Sequence, residues 1–241
     1  ELIDFDHMFS RMISAPPKRA PDDTEGVDPA ELQECFIRHG RFTAGTATHY
    51  RPSLITGEPA YQNLARGFTI GMRFHSAPVI RLADAKPVHL GHRVRADGRW
   101  RIFAFADRDP PHVSGSRLRG LCEFLEQSPE SPIRRHTPAG EDVDSVIELI
   151  AVCQQGHREL SVRGMPALLL PRKGRYGLID YEKIYCPDLK RGEDVFDMLG
   201  IDRRQGCLVI VRPDQYVAHV LPLDAYSELS AFFRRFMLDA R

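Results

Sequence analysis

Ala96-Asp97-Gly98-Arg99-Trp100-Arg101-Ile102-Phe103-Ala104-Phe105-Ala106 is a turn followed by a strand. Asp97-Gly98 is a strong turn signal, and the run behind it, Trp100 to Ala106, is aromatic or apolar at every position but Arg101. Residues 88–94 form a second strand-like run before that turn. Downstream, Asp109-Pro110-Pro111-His112 leads into a helix expected over 116–127. Its inward stripe is Leu118, Leu121, Cys122 and Leu125, and Ser128-Pro129 closes it. Residues 143–152 read as a buried strand, 168–170 and 183–185 as short strands or extended pieces, and 193–199 as a short helix ended by Gly200. Cys207–Val211 is a continuous apolar strand, Arg212-Pro213-Asp214-Gln215 a turn, and 216–221 the returning strand. Asp224 is expected to cap a final helix with Ala225, Leu229, Phe232, Phe233 and Phe236 inward. From Trp100 the order is strand–helix–strand–helix–strand–strand–helix. A helix between two apolar strands calls for a right-handed parallel crossover, and the closing hairpin adds an antiparallel pair. That is an α/β order of the thioredoxin-like kind, a mixed sheet flanked by helices, expected over residues 68–241.

Upstream, Leu2, Phe5, Phe9 and Met12 mark one stripe of a helix, with Ile13 beside it, stopped by Pro16-Pro17. Residues 15–27 are polar and Pro-rich, a surface loop. Asp28-Pro29-Ala30-Glu31 then opens a second helix, with Leu32, Cys35, Phe36 and His39 inward and Gly40 at its end. These two helices, residues 1–40, carry too little apolar surface to be a domain. They are expected to pack on a preceding portion of a longer polypeptide, a reading that Glu1 in place of Met supports. Residues 41–67 lack periodicity and read as an extended crossing segment. Phe68, Ile70, Met72 and Phe74 then alternate with Thr69, Gly71 and Arg73. This is either a half-buried edge strand of the same subunit or a strand at a subunit interface.

Composition bounds the function. Among 241 residues, 33 basic and 33 acidic side chains leave no net charge, so nothing global draws the chain to nucleic acid or anionic lipid. No apolar run reaches the roughly 18–20 residues of a membrane-spanning helix. Five scattered cysteines make neither a disulfide framework nor a zinc knuckle, and point to a reducing cytoplasm. A thioredoxin-like thiol enzyme needs Cys-x-x-Cys where the first strand meets its helix. That junction here is Asp107-Arg108-Asp109-Pro110-Pro111-His112-Val113-Ser114, without cysteine, and Cys122 reads as a small core hydrophobe. His89 and His92 are expected on opposite faces of a strand or turn, which argues against a metal pair. His39 and His49 flank a loop. His75 is either a polar interface anchor or a satisfied lone histidine. Gly-x-Ser-x-Gly, Gly-x-Gly-x-x-Gly and Walker loops are all missing, and Ser114-Gly115-Ser116 reads as a helix cap. The basic stretch 158–175, with Gly164, Gly174 and Gly177, is either an anion site or a solvated turn interrupted by Glu159.

Four stretches carry a resemblance: Glu1-Leu2-Ile3-Asp4-Phe5-Asp6, Phe42-Thr43-Ala44-Gly45, residues 94–105 with Ala96-Asp97-Gly98-Arg99-Trp100 at their heart, and Val209-Ile210-Val211-Arg212-Pro213-Asp214-Gln215-Tyr216-Val217. Together they resemble the C-terminal region of flavin-dependent aromatic hydroxylases, the phenol 2-monooxygenase and 3-hydroxybenzoate 4-monooxygenase family, over essentially the whole chain. The resemblance implies an upstream portion carrying FAD and the substrate pocket, and a C-terminal thioredoxin-like portion without redox cysteines that forms a homodimer. The implied reaction uses NADPH and O₂ to hydroxylate a phenolic ring such as 3-hydroxybenzoate or phenol, with FAD supplying the chemistry. It places no catalytic, cofactor-binding or metal residue in this chain, which alone is expected to be inactive. The competing reading is a free-standing, non-enzymatic thioredoxin-like interaction module.

Overall fold

In the computed structural model, which describes residues 2–16, 27–190, 192 and 194–240, the apolar spacing of the first residues winds them into helix α1 (Leu2–Ser14), followed by α2 (Pro29–Thr43). They belong to the smaller of two units, residues 1–48; the larger is residues 49–241. The side chains of Leu2 and Phe5, and most of the expected 15–27 loop, lie outside the described residues. Phe9 meets Phe36 edge to face at 4.9 Å. Asp28 caps α2 as expected, its Oδ1 accepting from the Ala30 amide at 2.8 Å. Gly40 does not end the helix. The Ala44 amide still bonds to the Gly40 carbonyl, and the left-handed exit is made by Gly45 at φ +66°. Met8, Ile13, Phe36 and Ile37 remain exposed.

The larger unit takes residues 49–67 from the expected crossing segment, including a 3₁₀ turn at Gln62–Leu64. Its elements follow as β1 (Pro78–Arg81), β2 (Pro87–His89), β3 (Trp100–Phe105), α3 (Arg117–Gln127), α4 (Pro132–His136), β4 (Ile147–Val152), β5 (Arg172–Lys173), β6 (Leu178–Ile179), β7 (Ile184–Pro187), α5 (Val195–Met198), β8 (Cys207–Val211), β9 (Val217–Leu221) and α6 (Tyr226–Arg234). Seven strands form one sheet in the order β2-β1-β7-β4-β3-β8-β9, and β5-β6 is a separate hairpin. β3 runs parallel to β4 and antiparallel to β8, and β9 returns antiparallel to β8. The β4-β3-β8-β9 core, with α3 in the first crossover and α6 after the hairpin, is the thioredoxin-like arrangement. β7, β1 and β2 extend it on one side.

Alternation along β3 makes two cores. Ile102 and Ala104 face α3, α4 and α6, against Leu118, Leu121, Cys122, Leu125, Phe232 and Phe233. Phe103 and Phe105 face the other side, against Phe68, Ile70, Leu90 and Phe196. The stripes expected on α3 and α6 are the buried ones, and Ser116 caps α3 by accepting from the Arg119 amide at 3.5 Å.

Several local expectations fail for visible reasons. The strand expected over 88–94 stops at His89. Gly91 then turns the chain against Ser76, whose Oγ accepts from the Gly91 amide at 3.0 Å, leaving no room there for a side chain. Residues 168–170 fall largely in a 3₁₀ turn, Ala167–Leu169, set up by Pro166. α6 begins at Tyr226 without a side-chain cap, so Asp224 contributes its carbonyl rather than its carboxylate. α4 was not expected, although Ser131-Pro132 carries its signal: the Ser131 hydroxyl accepts from the Arg134 amide at 3.3 Å.

The segment 68–74 is not a strand at all. Gln62 satisfies its backbone: Nε2 donates to the Ala65 and Phe68 carbonyls at 3.0 and 2.6 Å, and Oε1 accepts from the Ile70 amide at 3.0 Å. Gly71, at φ +86°, bends the chain where a Cβ would lie 2.1 Å from the Tyr50 carbonyl oxygen. Phe68 is fully buried, and Phe74 stacks between Phe68 and Phe103 at 4.8 and 4.5 Å. The apolar face expected at an edge or interface is therefore spent inside the subunit.

Candidate functional site

The end of β3 is where this fold would place its thiols. Asp107 stands there, 4% exposed, with Oδ2 accepting from the Arg117 amide at 3.2 Å. Its Oδ1 has no hydrogen-bond partner among the described residues. Burial pushes the Asp107 carboxyl above the usual range, against the pull of that amide. With Ser116 on the Arg119 amide, the N-terminus of α3 is already capped from within the chain, so a phosphate would find neither free amides nor a favourable charge there. All five cysteines are buried and unpaired. Burial drives the thiols of Cys122, Cys153, Cys186 and Cys207 up, that of Cys186 to about 12, the opposite of what a nucleophilic thiolate requires.

The most unusual chemistry lies at the other end of the same strands. Arg101 and Glu148 sit opposite each other on β3 and β4, at positions where the alternation of the Phe103 face calls for apolar residues. Both are buried, with Arg101 Nε donating to Glu148 Oε2 at 2.9 Å and Nη2 to Asp97 Oδ2 at 2.7 Å. Lys183, just before β7, is 1% exposed. It donates to Asp144 Oδ2 at 2.5 Å and to Glu148 Oε1, and lies 3.2 Å from Asp180. Lys173 of β5 joins from outside, bonded to Asp144 at 2.8 Å and Asp180 at 3.2 Å. Burial alone would raise the Asp144 carboxyl. Lys183 and Lys173 more than offset it and hold the group below the usual carboxylate range. Arg99 completes the set on Asp97 at 2.7 Å. The charges alternate and balance, so the seam binds its own members rather than a ligand. It joins four elements: the Asp97-Gly98 turn, β3–β4, the entry to β7 and the β5–β6 hairpin. Sequence reasoning missed it, and the available signal was Arg101 inside an otherwise apolar strand.

A second clamp forms at the β8–β9 turn. Arg212 makes a two-pronged pair with Asp214 at 3.0 and 2.5 Å and donates to Thr56 Oγ1 at 3.3 Å. Its guanidinium lies over the Tyr50 ring at 4.6 Å, and Tyr50 packs on Tyr216 at 4.8 Å. Gln215, at φ +71°, donates to the Val94 carbonyl at 2.8 Å and accepts from Arg73 at 3.1 Å. Residues 48–241 match the family described as phenol hydroxylase, C-terminal dimerisation domain. The chain belongs to that family. It is 55% identical to 3-hydroxybenzoate 4-monooxygenase of Comamonas testosteroni over 98% of its own length and 37% of that protein. It is 32% identical to the FAD-dependent monooxygenase terD of Aspergillus terreus (98% and 39%) and 25% identical to the phenol 2-monooxygenase fsqG of Aspergillus fumigatus (96% and 37%). The chain thus spans well under half the length of these relatives.

In this dimerisation domain, two of the four stretches that carry the resemblance to the aromatic hydroxylases, around Asp97 and around Arg212, are clamps rather than chemistry. Of the expected candidates, His89 and His92 do not oppose each other: the 3₁₀ turn over Leu90–Arg93 brings their rings to 5.6 Å. Among the described residues no three metal-capable side chains come together. His75 is exposed, and His49 bonds to the Ile70 carbonyl at 3.0 Å. Arg158, from the basic stretch, lines a cavity of about 410 Å³ with His157, Lys190 and Leu189. Glu159 lines the same cavity and accepts from the Gly156 amide at 3.2 Å, so its charge is of mixed sign. Among the described residues no helix is long and apolar enough to cross a membrane.

Proposed function

We propose that this chain is the C-terminal, dimer-forming portion of a cytoplasmic FAD-dependent monooxygenase that hydroxylates a phenolic acid of the 3-hydroxybenzoate class with NADPH and O₂. The observation that carries the reading is 55% identity, over 98% of this chain, to a 3-hydroxybenzoate 4-monooxygenase. The unpaired cysteines support a reducing compartment.

The residues present do not fit FAD. A dinucleotide needs a Gly-rich turn and free amides at a helix N-terminus. After β3 this chain offers two aspartates and two prolines, with the amides of α3 already taken by Asp107 and Ser116. The flavin therefore belongs to the part of the relatives that this chain does not span, and no step of the reaction is assigned to a residue here. The smaller unit, with residues 1–40, fits the closing helices of that upstream portion, since it leaves Ile13, Phe36 and Ile37 uncovered. What this chain contributes is a rigid thioredoxin-like body for subunit association.

The test uses the intact protein. It should carry flavin, form a homodimer, and convert 3-hydroxybenzoate to 3,4-dihydroxybenzoate with one NADPH and one O₂ consumed and one water released per turnover. A flavin-free protein that leaves NADPH untouched with any phenol would support a free-standing interaction module instead.

A further inference from the structure

The dimer reading leaves open which surface meets the partner, and the fold removes the obvious choices. The β9 edge is occupied within the subunit: Gly57 donates to the Ala218 carbonyl at 2.7 Å, Gly71 to Val217 at 2.8 Å, and Val217 to Met72 at 2.8 Å. The opposite edge, β2, is three residues long and opens with Pro87, poor material for a continuous sheet. On the apolar face of 68–74, Phe68 and Ile70 are buried and Phe74 is stacked on Phe68 and Phe103.

The β5–β6 hairpin is different. Strands of two residues cannot support themselves in water. This pair is held from below by Lys173 on Asp144 and by the Gly174 amide on Asp142 Oδ1 at 2.8 Å, and braced within itself by Lys173 on Asp180 and by Arg172 on the Gly177 carbonyl at 3.0 Å. A hairpin so firmly seated nevertheless displays Tyr176 at 76% exposure, Leu178 at 69% and Tyr181 at 46%. Tyr181 also lines a groove of about 510 Å³ with Val162, Arg163, Ala83, Arg81 and Glu182. One hairpin thus carries an exposed aromatic before β6 and a groove-lining aromatic after it, material that a self-complementary contact can use.

The charges agree. Arg175, over the Tyr176 ring at 4.9 Å, has no ion-pair partner in the chain among the described residues. Neither does Glu141, next to the Asp142 that anchors the hairpin tip. Two-fold pairing through the tip supplies each with the opposite charge it lacks at home.

We propose that the β5–β6 hairpin is the docking surface for a second copy of this chain, with Tyr176 and Leu178 as its apolar anchors and Arg175 facing Glu141 of the partner subunit. This rests on the dimer reading above. Its backbone is already seated before association, which spares the cost of ordering the loop on binding.

The experiment is sedimentation velocity on the intact protein over a concentration series, with thermal melting as the folding control. The double variant Tyr176→Asp/Leu178→Asp should raise the dimer dissociation constant at least about 30-fold with an unchanged melt. Arg175→Glu and Glu141→Arg should each weaken the dimer several-fold, and the two together should restore it. A folded double variant that dimerises like the wild type, or a charge swap without restoration, overturns this surface and leaves the dimer reading standing. A wild-type protein that stays monomeric overturns both.

Discussion

Two stretches of the larger unit have opposite fates. Residues 68–74 bend into a turn held by Gln62, press Phe68 and Phe74 onto Phe103 and Phe105, and bury most of what they bring. Residues 172–181 form a regular hairpin, tie its charged and backbone groups to a buried seam, and leave Tyr176 and Leu178 in solvent. An irregular backbone is thus packed and a regular one is displayed. Regularity records where backbone groups find partners; burial records what lies opposite the side chains. The comparison separates stability from association, because the first stretch is part of the core and the second is only anchored to it.

The strongest way to break the contrast is Phe68→Asp, which removes a fully buried ring and strands a carboxylate among Phe105, Phe196 and Leu90. We expect loss of cooperative unfolding, read by denaturant titration, since Phe→Ala at such a site already costs about 3–5 kcal/mol. A folded, monomeric Phe68→Asp protein would mean that this face meets the partner after all.

Lys183→Met tests the seam. It leaves the Asp144 and Glu148 carboxylates buried without their shared cation, with an expected cost of about 3–5 kcal/mol in a urea melt. Methionine keeps the volume, so a near-neutral result would show that Lys173 and Arg101 suffice.

Acid should weaken the β9 side before the seam. Burial, aided by Arg235, lowers His219 to about 4 from an ordinary 6.5. A histidine depressed in the folded state is protonated first in the unfolded chain, so its penalty grows as pH falls from about 6.5 to about 4, at no more than about 1.4 kcal/mol per pH unit. His219→Phe should flatten that part of a stability–pH curve. The seam acts lower: Asp144 is held below the usual carboxylate range, so its contribution is present above about pH 4 and is lost only below it.

The smallest effect on stability belongs to the displayed stretch. Leu178→Ser should shift the melt by no more than about 0.5 kcal/mol at concentrations where the protein is monomeric. A loss of 2 kcal/mol or more would place Leu178 in the core and end the contrast.

Local patterning sufficed for the body of the fold. Ser116 before an i, i+3, i+4 apolar stripe, Cys207–Val211 as an unbroken apolar run, and a strand–helix–strand–helix–strand–strand–helix order led to the thioredoxin-like core. The cysteine-free junction after Ala106 was legible as a fold without its thiols. Where a residue pairs within a few positions, as Asp28 does with Ala30, sequence spacing carries the information. It failed where the partner is farther off: the backbone groups of 68–70 are satisfied by Gln62, and the turn at Gly91 by Ser76; the exit of α2 was missed by one turn, at Gly45 rather than Gly40, because either glycine can end a helix. The charged seam was invisible for the same reason. Arg101 meets Glu148 across parallel strands 47 positions apart and Asp97 across a turn, and Lys183 arrives just before a third strand. Periodicity states which side chains share a face. Only the tertiary structure decided what covers that face, because burial depends on the strands and loops that pack against it, and those come from far along the chain.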